Sequence, residues 1–179
     1  MSRTRRDDGF TVIELLLVVT LIGILASMVM PALSKARAVS TEVSTIGSLR
    51  AITTAQASFA ASCGAGYYAP SVTWLTKPPA VGKAAFLGQE FSGDTINRLN
   101  YIIRFTAGTV EPRSPASCNG LAAGQSGQNY FVSADPAVTS PTTGTRHFGT
   151  NADNTIYQST VFLSPFYTGT PPSPAKPLQ

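Results

Sequence analysis

The sequence has one histidine, one tryptophan and two cysteines, and only 12% of its residues carry a charged side chain. Each shortage removes a class of function. With His147 as the only imidazole, no Ser/His/Asp or Cys/His constellation can be argued, and a surface or strand position suits it better than catalysis. Cys63 and Cys118 lack the close CxxC spacing typical of metal sites. No P-loop, HExxH or glycine-rich nucleotide fingerprint occurs. No acidic residue follows Asp153. Asn151, Asp153 and Asn154 could lend oxygens to a calcium ion, but a hairpin turn explains them more cheaply. The net charge of +4 is small and scattered, whereas nucleic-acid binding needs a clustered basic face. The chain therefore reads as no enzyme, with no catalytic residues, no metal, no cofactor and no nucleic-acid partner.

Charge is also missing from one long run. Between Phe10 and Met30 the only ionisable side chain is Glu14. As a helix rising about 1.5 Å per residue, these residues span roughly 31 Å, enough to cross a hydrocarbon core. A charge at the bilayer centre costs about 2.5 kcal/mol or more, so Glu14 marks function and implies a partner. Arg3, Arg5 and Arg6 precede the run, which by the positive-inside rule keeps the leader cytoplasmic and sends the C-terminal part outward. Three readings compete. A secretory signal has a shorter apolar stretch and a small-residue cleavage site after it; a plain signal anchor leaves Glu14 unexplained. Processing before the apolar stretch, at Gly9–Phe10, accounts for the glycine, the phenylalanine and the glutamate together.

Gly9, Phe10, Thr11 and Glu14, followed by an apolar run that contains Gly23 and ends at Pro31, resemble the N-terminus of the type IV pilin-like superfamily. That superfamily includes type IV pilins and the pseudopilins of type II secretion. The resemblance is close over roughly residues 1–55 and extends to the remainder only in general plan. It implies cleavage after Gly9 by a prepilin peptidase and N-methylation of the new terminal residue, Phe10. It also implies an assembly role for Glu14, paired with the amino group freed at Phe10 of a neighbouring subunit. Buried ion pairs are weak evidence for stability, but setting register is their best-attested use. The alternative for Glu14 is a carboxylate snorkelling at the membrane face. Gly23 and Pro31 invite local unwinding or a bend, against which stands a straight helix with a mild kink. The implied partners are further copies in a filament, other pilins or pseudopilins, the peptidase, an inner-membrane assembly platform and the membrane itself. The implied location is the bacterial inner membrane, single-pass with the C-terminus outside, then a surface pilus or periplasmic pseudopilus.

Past Pro31, Leu33, Ala36, Val39, Val43, Ile46, Leu49 and Ile52 recur at spacings of three and four, and Ala55, Phe59 and Cys63 extend the stripe. This predicts an amphipathic helix with Lys35, Arg37, Glu42 and Arg50 on its more exposed faces, stopped by Gly64 and Gly66. Helix from Phe10 to Cys63 would be about 81 Å long, more than the remaining chain can cover. Residues 64–100 read as a Gly- and Pro-rich connecting loop pinned by Tyr67, Tyr68, Trp74, Leu75 and Phe86. Strands are predicted over Asn100–Thr106, Asn129–Ala134, Thr145–Gly149 and Thr155–Gln158, with a turn over Thr150–Asn154. In an exported domain Cys63 and Cys118 suit one disulfide, two free buried thiols being the alternative. Residues 169–179 form a Pro-rich tail, extended or disordered. The expected fold class is α+β, pilin-like: one long N-terminal helix on a small antiparallel sheet. The expected organisation is a leader 1–9, a hydrophobic half-helix 10–31, an amphipathic half-helix 32–63, a globular loop and sheet region 64–168, and the tail 169–179. The favoured reading is a pilin subunit of a type IV pilus-like filament, with a type II secretion pseudopilin as the alternative. A bitopic membrane protein with a ligand-binding outer domain is the reading from a different class.

Overall fold

The computed structural model describes residues 9–79, 82–139 and 144–178. A single helix, α1 (Val12–Ser62), accounts for 51 of them. Thr11 is its N-cap, with the Thr11 side chain accepting from the Glu14 backbone N–H, so the helix begins two residues later than predicted. At the other end Cys63 leaves helical geometry, and the Gly64 and Gly66 N–H groups donate to the Phe59 and Ala60 carbonyls. Gly64 has no substitute there, because a Cβ would run into the Tyr67 carbonyl and the Phe59 ring.

The sheet is a six-stranded antiparallel meander: β1 (Thr95–Arg98), β2 (Tyr101–Ala107), β3 (Tyr130–Pro136), β4 (His147–Asn151), β5 (Ile156–Ser159) and β6 (Lys176–Pro177), in that spatial order. Period-2 alternation sends Tyr101, Ile103 and Phe105 of β2 and Tyr130, Val132 and Ala134 of β3 into a core with Leu49, Ile52 and Phe59 of α1. This is the expected α+β arrangement. All four predicted strands, β2 to β5, fall within one or two residues of the expectation; β4 runs on to Asn151 and β5 begins at Ile156, so the turn between them is residues 152–155, one shorter than Thr150–Asn154.

Two expectations are corrected. The 64–100 segment is no mere loop: it holds a short helix, α2 (Val72–Leu75), a 3-10 turn at Gln89–Phe91, and β1. The tail from residue 169 takes the extended one of its two expected forms where Lys176 pairs with Gln158 as the edge of the sheet. Ahead of it, Leu163 and Phe166 fold back onto Phe131 and Tyr157, covering the outer face of β3. Gly149 permits this cover, since a Cβ there would press on Leu163 and Phe131. Thus β3 is buried on both faces.

The second correction concerns Glu42, predicted on an exposed face and found buried. Arg146, just before β4, donates from Nε and Nη2 to Glu42 Oε2, the former at 2.9 Å, and the Thr145 N–H donates to Oε1. Arg146 Nη1 also reaches Gln158 Oε1 at 2.7 Å. Periodicity placed Glu42 outside because a carboxylate is normally solvated; a guanidinium fork supplies the donors that water would. The Tyr101 hydroxyl donates to the Arg146 carbonyl, and burial, reinforced by Glu42, pushes that phenol above its ordinary range. This clasp fixes where the sheet sits on α1.

Removing Arg146 strands a buried carboxylate. Because the guanidinium is itself 41% exposed, the loss should fall below that of a fully buried pair: Arg146→Ala is expected to cost about 2 kcal/mol. Adding Glu42→Gln should recover part of it. Urea unfolding midpoints of the two variants check this; a double variant no more stable than Arg146→Ala would show that the stranded charge is not the cause.

Candidate assembly segment

The segment that the sequence singled out lies at the free end of α1. Gly9 and Phe10 precede the helix in exposed, non-helical backbone, so the Gly9–Phe10 peptide bond is accessible. Residues 1–8, including Arg3, Arg5 and Arg6, lie outside the described residues.

From Val12 to Val39 no residue of α1 is buried by the rest of the chain. Its most apolar 18-residue window has a mean hydropathy of 2.6 and is 0% buried. By length and composition this helix can cross a membrane. Its polar groups are arranged for that. The Thr20 hydroxyl donates to the Leu17 carbonyl at 2.8 Å and the Ser27 hydroxyl to the Ile24 carbonyl at 2.7 Å, so neither needs water. Glu14 is different. Its carboxylate has one local donor, the Thr11 hydroxyl at 3.4 Å, and lies in the first helical turn, where the macrodipole favours negative charge. One neutral donor leaves most of the carboxylate's acceptor capacity open. No cationic side chain is paired with it among the described ion pairs.

Gly23 sits inside α1 with open space around its Cα, and Pro31 sits inside the same continuous helix. Pro31 cannot donate to the Ser27 carbonyl, so one helical hydrogen bond is missing there. At the other end, Cys63 and Cys118 form a disulfide with a Cα–Cα separation of 4.9 Å. It ties the loop between β2 and β3 to the end of α1, where the Cys118 N–H also donates to the Cys63 carbonyl.

One cluster was missed by sequence reasoning. Asp135 accepts from Arg104 Nη1 at 3.1 Å, from Ser133 Oγ at 3.3 Å, and lies 2.7 Å from His147 Nδ1. Serine, histidine and aspartate are thus adjacent, in the wrong order for nucleophilic catalysis: the serine hydroxyl is spent on the carboxylate and not offered to the imidazole. The cluster staples β2, β3 and β4. The side-chain oxygens of the Asn151–Asn154 turn meet protein donors. Asp153 Oδ2 accepts from the Gly169 N–H, and Asn151 Oδ1 accepts from the Asp153 N–H. Among the described residues no group of three or more His, Cys, Asp or Glu could hold a metal.

The family model of the prokaryotic N-terminal methylation motif matches residues 4–30. The chain carries the prokaryotic N-terminal methylation motif. An alignment of 140 residues, covering 76% of this chain, is 32% identical to the type IV major pilin protein PilA of Myxococcus xanthus (strain DK1622). The chain spans about half, 56%, of that relative's length. No solved structure matches the chain. The chain is thus type IV pilin-like in its N-terminal motif and in its similarity over most of its length.

The disulfide closes a 55-residue separation, so the chain-entropy account gives it about 4 kcal/mol. Cys63→Ser with Cys118→Ser is expected to lower the thermal midpoint markedly, and dithiothreitol should lower the unsubstituted protein's midpoint to the same value. Coincident melts with and without reductant would contradict the assigned stabilisation.

Proposed function

We propose that the chain is a structural subunit of a type IV pilus-like filament, cleaved after Gly9 by a prepilin peptidase, N-methylated at Phe10, and assembled through the exposed half of α1. The observation that carries this reading is the uncovered apolar helix with one carboxylate, Glu14, the fifth residue after the accessible Gly9–Phe10 bond. A domain that leaves so much apolar surface bare needs lipid first and protein afterwards. On this reading residues 10–31 hold the subunit in the inner membrane, with the sheet outside, until an assembly platform transfers it to the filament. The leader 1–9 is left behind.

Glu14 then changes partners. In the unassembled subunit Thr11 and the helix N-terminus serve it; in the filament the amino group of Phe10 on a neighbour supplies the cation. A copy out of register leaves a carboxylate buried without one, which is more costly than any gain from the pair itself. Gly23 and Pro31 would be the places where α1 yields as it packs. We place no catalysis on the chain. The alternative, a type II secretion pseudopilin, shares every one of these steps. The preference for a pilus rests on the similarity to a major pilin and on a departure from the acidic calcium-binding loop in which major pseudopilins typically end: here no acidic residue follows Asp153, whose carboxylate accepts from the Gly169 N–H.

Intact-mass analysis of the native protein tests the processing directly: the expected mass is that of residues 10–179 plus one methyl group and less two hydrogens for the disulfide. Gly9→Leu should retain the full leader; a normal mature N-terminus in that variant would refute the cleavage site. Glu14→Val should leave processed, membrane-inserted subunits and lower the filament yield in sheared fractions to background. Wild-type yield from Glu14→Val would refute the pairing.

A further inference from the structure

Among the described residues that follow α1, five large apolar side chains are exposed: Leu99, Val110, Val138, Val161 and Phe162. Four of them emerge at one end of the sheet. Leu99 forms the β1–β2 turn, between the paired Arg98 and Tyr101. The Ala137 N–H donates to the Asn100 carbonyl, which puts Val138 beside that turn. Val161 and Phe162 follow Ser159, which pairs with His147 at the same end, and the Val161 N–H donates to the Ser159 hydroxyl. This is the end clasped to Glu42, and so the end that looks along α1 towards its uncovered half.

Leu99 is out of place by local rules. Its φ is +46° and that of Asn100 is +67°, the left-handed pair of a tight hairpin where Asn-Gly is easy and a leucine is strained. The sequence keeps a strained, 56% exposed leucine at a position that chain reversal alone would give to Asn or Gly. Phe162, also 56% exposed, is flanked by Leu163, which is buried; the aromatic ring points out while its neighbour packs in.

The same height on α1 carries a second uncovered apolar surface. Leu33, Ala36, Val39 and Val43 gather on the side of the helix opposite the one that Leu49, Ile52 and Phe59 turn to the sheet. Leu33 is 48% exposed and Val39 55%. The run before Leu33 already suffices to cross a hydrocarbon core, so this stripe continues past what lipid would cover. The chain's own rim lies on the wrong side of the helix to reach it.

We propose that the rim formed by Leu99, Val161 and Phe162 docks on the Leu33–Val43 stripe of a second copy of this chain. Each copy carries one rim and one stripe on opposite sides of its helix, so the contact is heterologous, and a heterologous contact that does not close propagates as an open filament. The proposal rests on the filament reading above and names the surface by which the globular parts take part in it.

The test uses the full chain expressed with its assembly machinery. Phe162→Cys combined with Val39→Cys should give a ladder of disulfide-linked multimers from sheared filaments under oxidising conditions, and neither single substitution should. Leu99→Glu with Phe162→Glu should lower filament yield about tenfold or more, since each exposed anchor would otherwise be buried, while the native Cys63–Cys118 bond still forms. Filaments from the glutamate variant at wild-type yield, together with no ladder from the paired cysteines, would overturn the docking while leaving the filament reading intact. A wild-type chain found in no filament fraction would overturn both. If a thiol at position 162 is instead shielded from a water-soluble maleimide in unassembled membrane-embedded subunits and forms no ladder in filaments, the rim lies on the bilayer and the proposal is wrong.

Discussion

One helix of 51 residues, carrying one sheet over about its last two fifths, cannot be covered by its own chain, and that shortfall organises everything else. At 1.5 Å per residue α1 runs about 77 Å, while a single small domain has dimensions nearer 30 Å. The uncovered part must be acceptable to a second environment, and its residues are chosen accordingly. Between Glu14 and Lys35 it carries no charge at all, and its Thr20 and Ser27 hydroxyls are turned back onto helical carbonyls. Helix is the one open-ended conformation that satisfies its backbone without water, which is why the chain can extend this far from its core.

The covered part of α1 solves a different problem. Its buried face is unusually polar for a helix under a sheet: Glu42, Thr45, Ser48, Thr53 and Gln56 alternate with Leu49, Ile52, Ala55 and Phe59. Each polar group has a specific partner. Thr45 and Ser48 donate to carbonyls four residues back, Thr53 donates to the Arg50 carbonyl, and Gln56 exchanges two hydrogen bonds with the Ala69 backbone. Thr45, Ser48 and Thr53 are thus satisfied within the helix wherever the sheet sits, whereas Glu42 and Gln56 depend on partners outside it, and displacing those partners along the helix would leave both buried and unsatisfied. Glu42 with Arg146 marks one end of the seat and the Cys63–Cys118 bond the other. The sheet is therefore held at one height on α1, and an assembly built on the free end inherits that height in every copy.

Most of this was legible from the chain, and the failures have physical causes. Apolar periodicity and the Gly64–Gly66 stop gave α1 almost to the residue, and β-branched and aromatic runs gave β2 and β3. The strand β1 was invisible because Thr95-Ile-Asn-Arg98 has a single apolar residue and borrows its order from pairing with β2. β6 was hidden in a proline-rich tail, where a two-residue edge strand leaves no pattern. Periodicity assigned Leu33–Val43 and Leu49–Phe59 to one stripe, yet the structure uses the second set for the core and leaves the first bare. A regular repeat says that a face is apolar, and is silent on what covers it. The Glu42–Arg146 and Asp135–His147 pairs join residues 104 and 12 positions apart, and no local signal could link them.

The position of Glu14 follows from the same geometry. A carboxylate deeper in the apolar run would be prohibitive for the unassembled subunit in lipid; one before the helix would be permanently solvated and would discriminate nothing. In the first turn it gains from the macrodipole and from Thr11, which together make membrane residence tolerable without fully satisfying the charge. The residual demand is what a filament could exploit. On the proposed reading, packing against other helices would remove the nearby headgroups and water that solvate the open lone pairs, so the demand would become acute only on assembly and would be met only where a neighbour's amino terminus arrives. Cleavage at Gly9 would create that terminus. On the reading proposed above, processing and register are therefore one requirement: the cut that frees the helix from its leader also makes the cation that its carboxylate lacks.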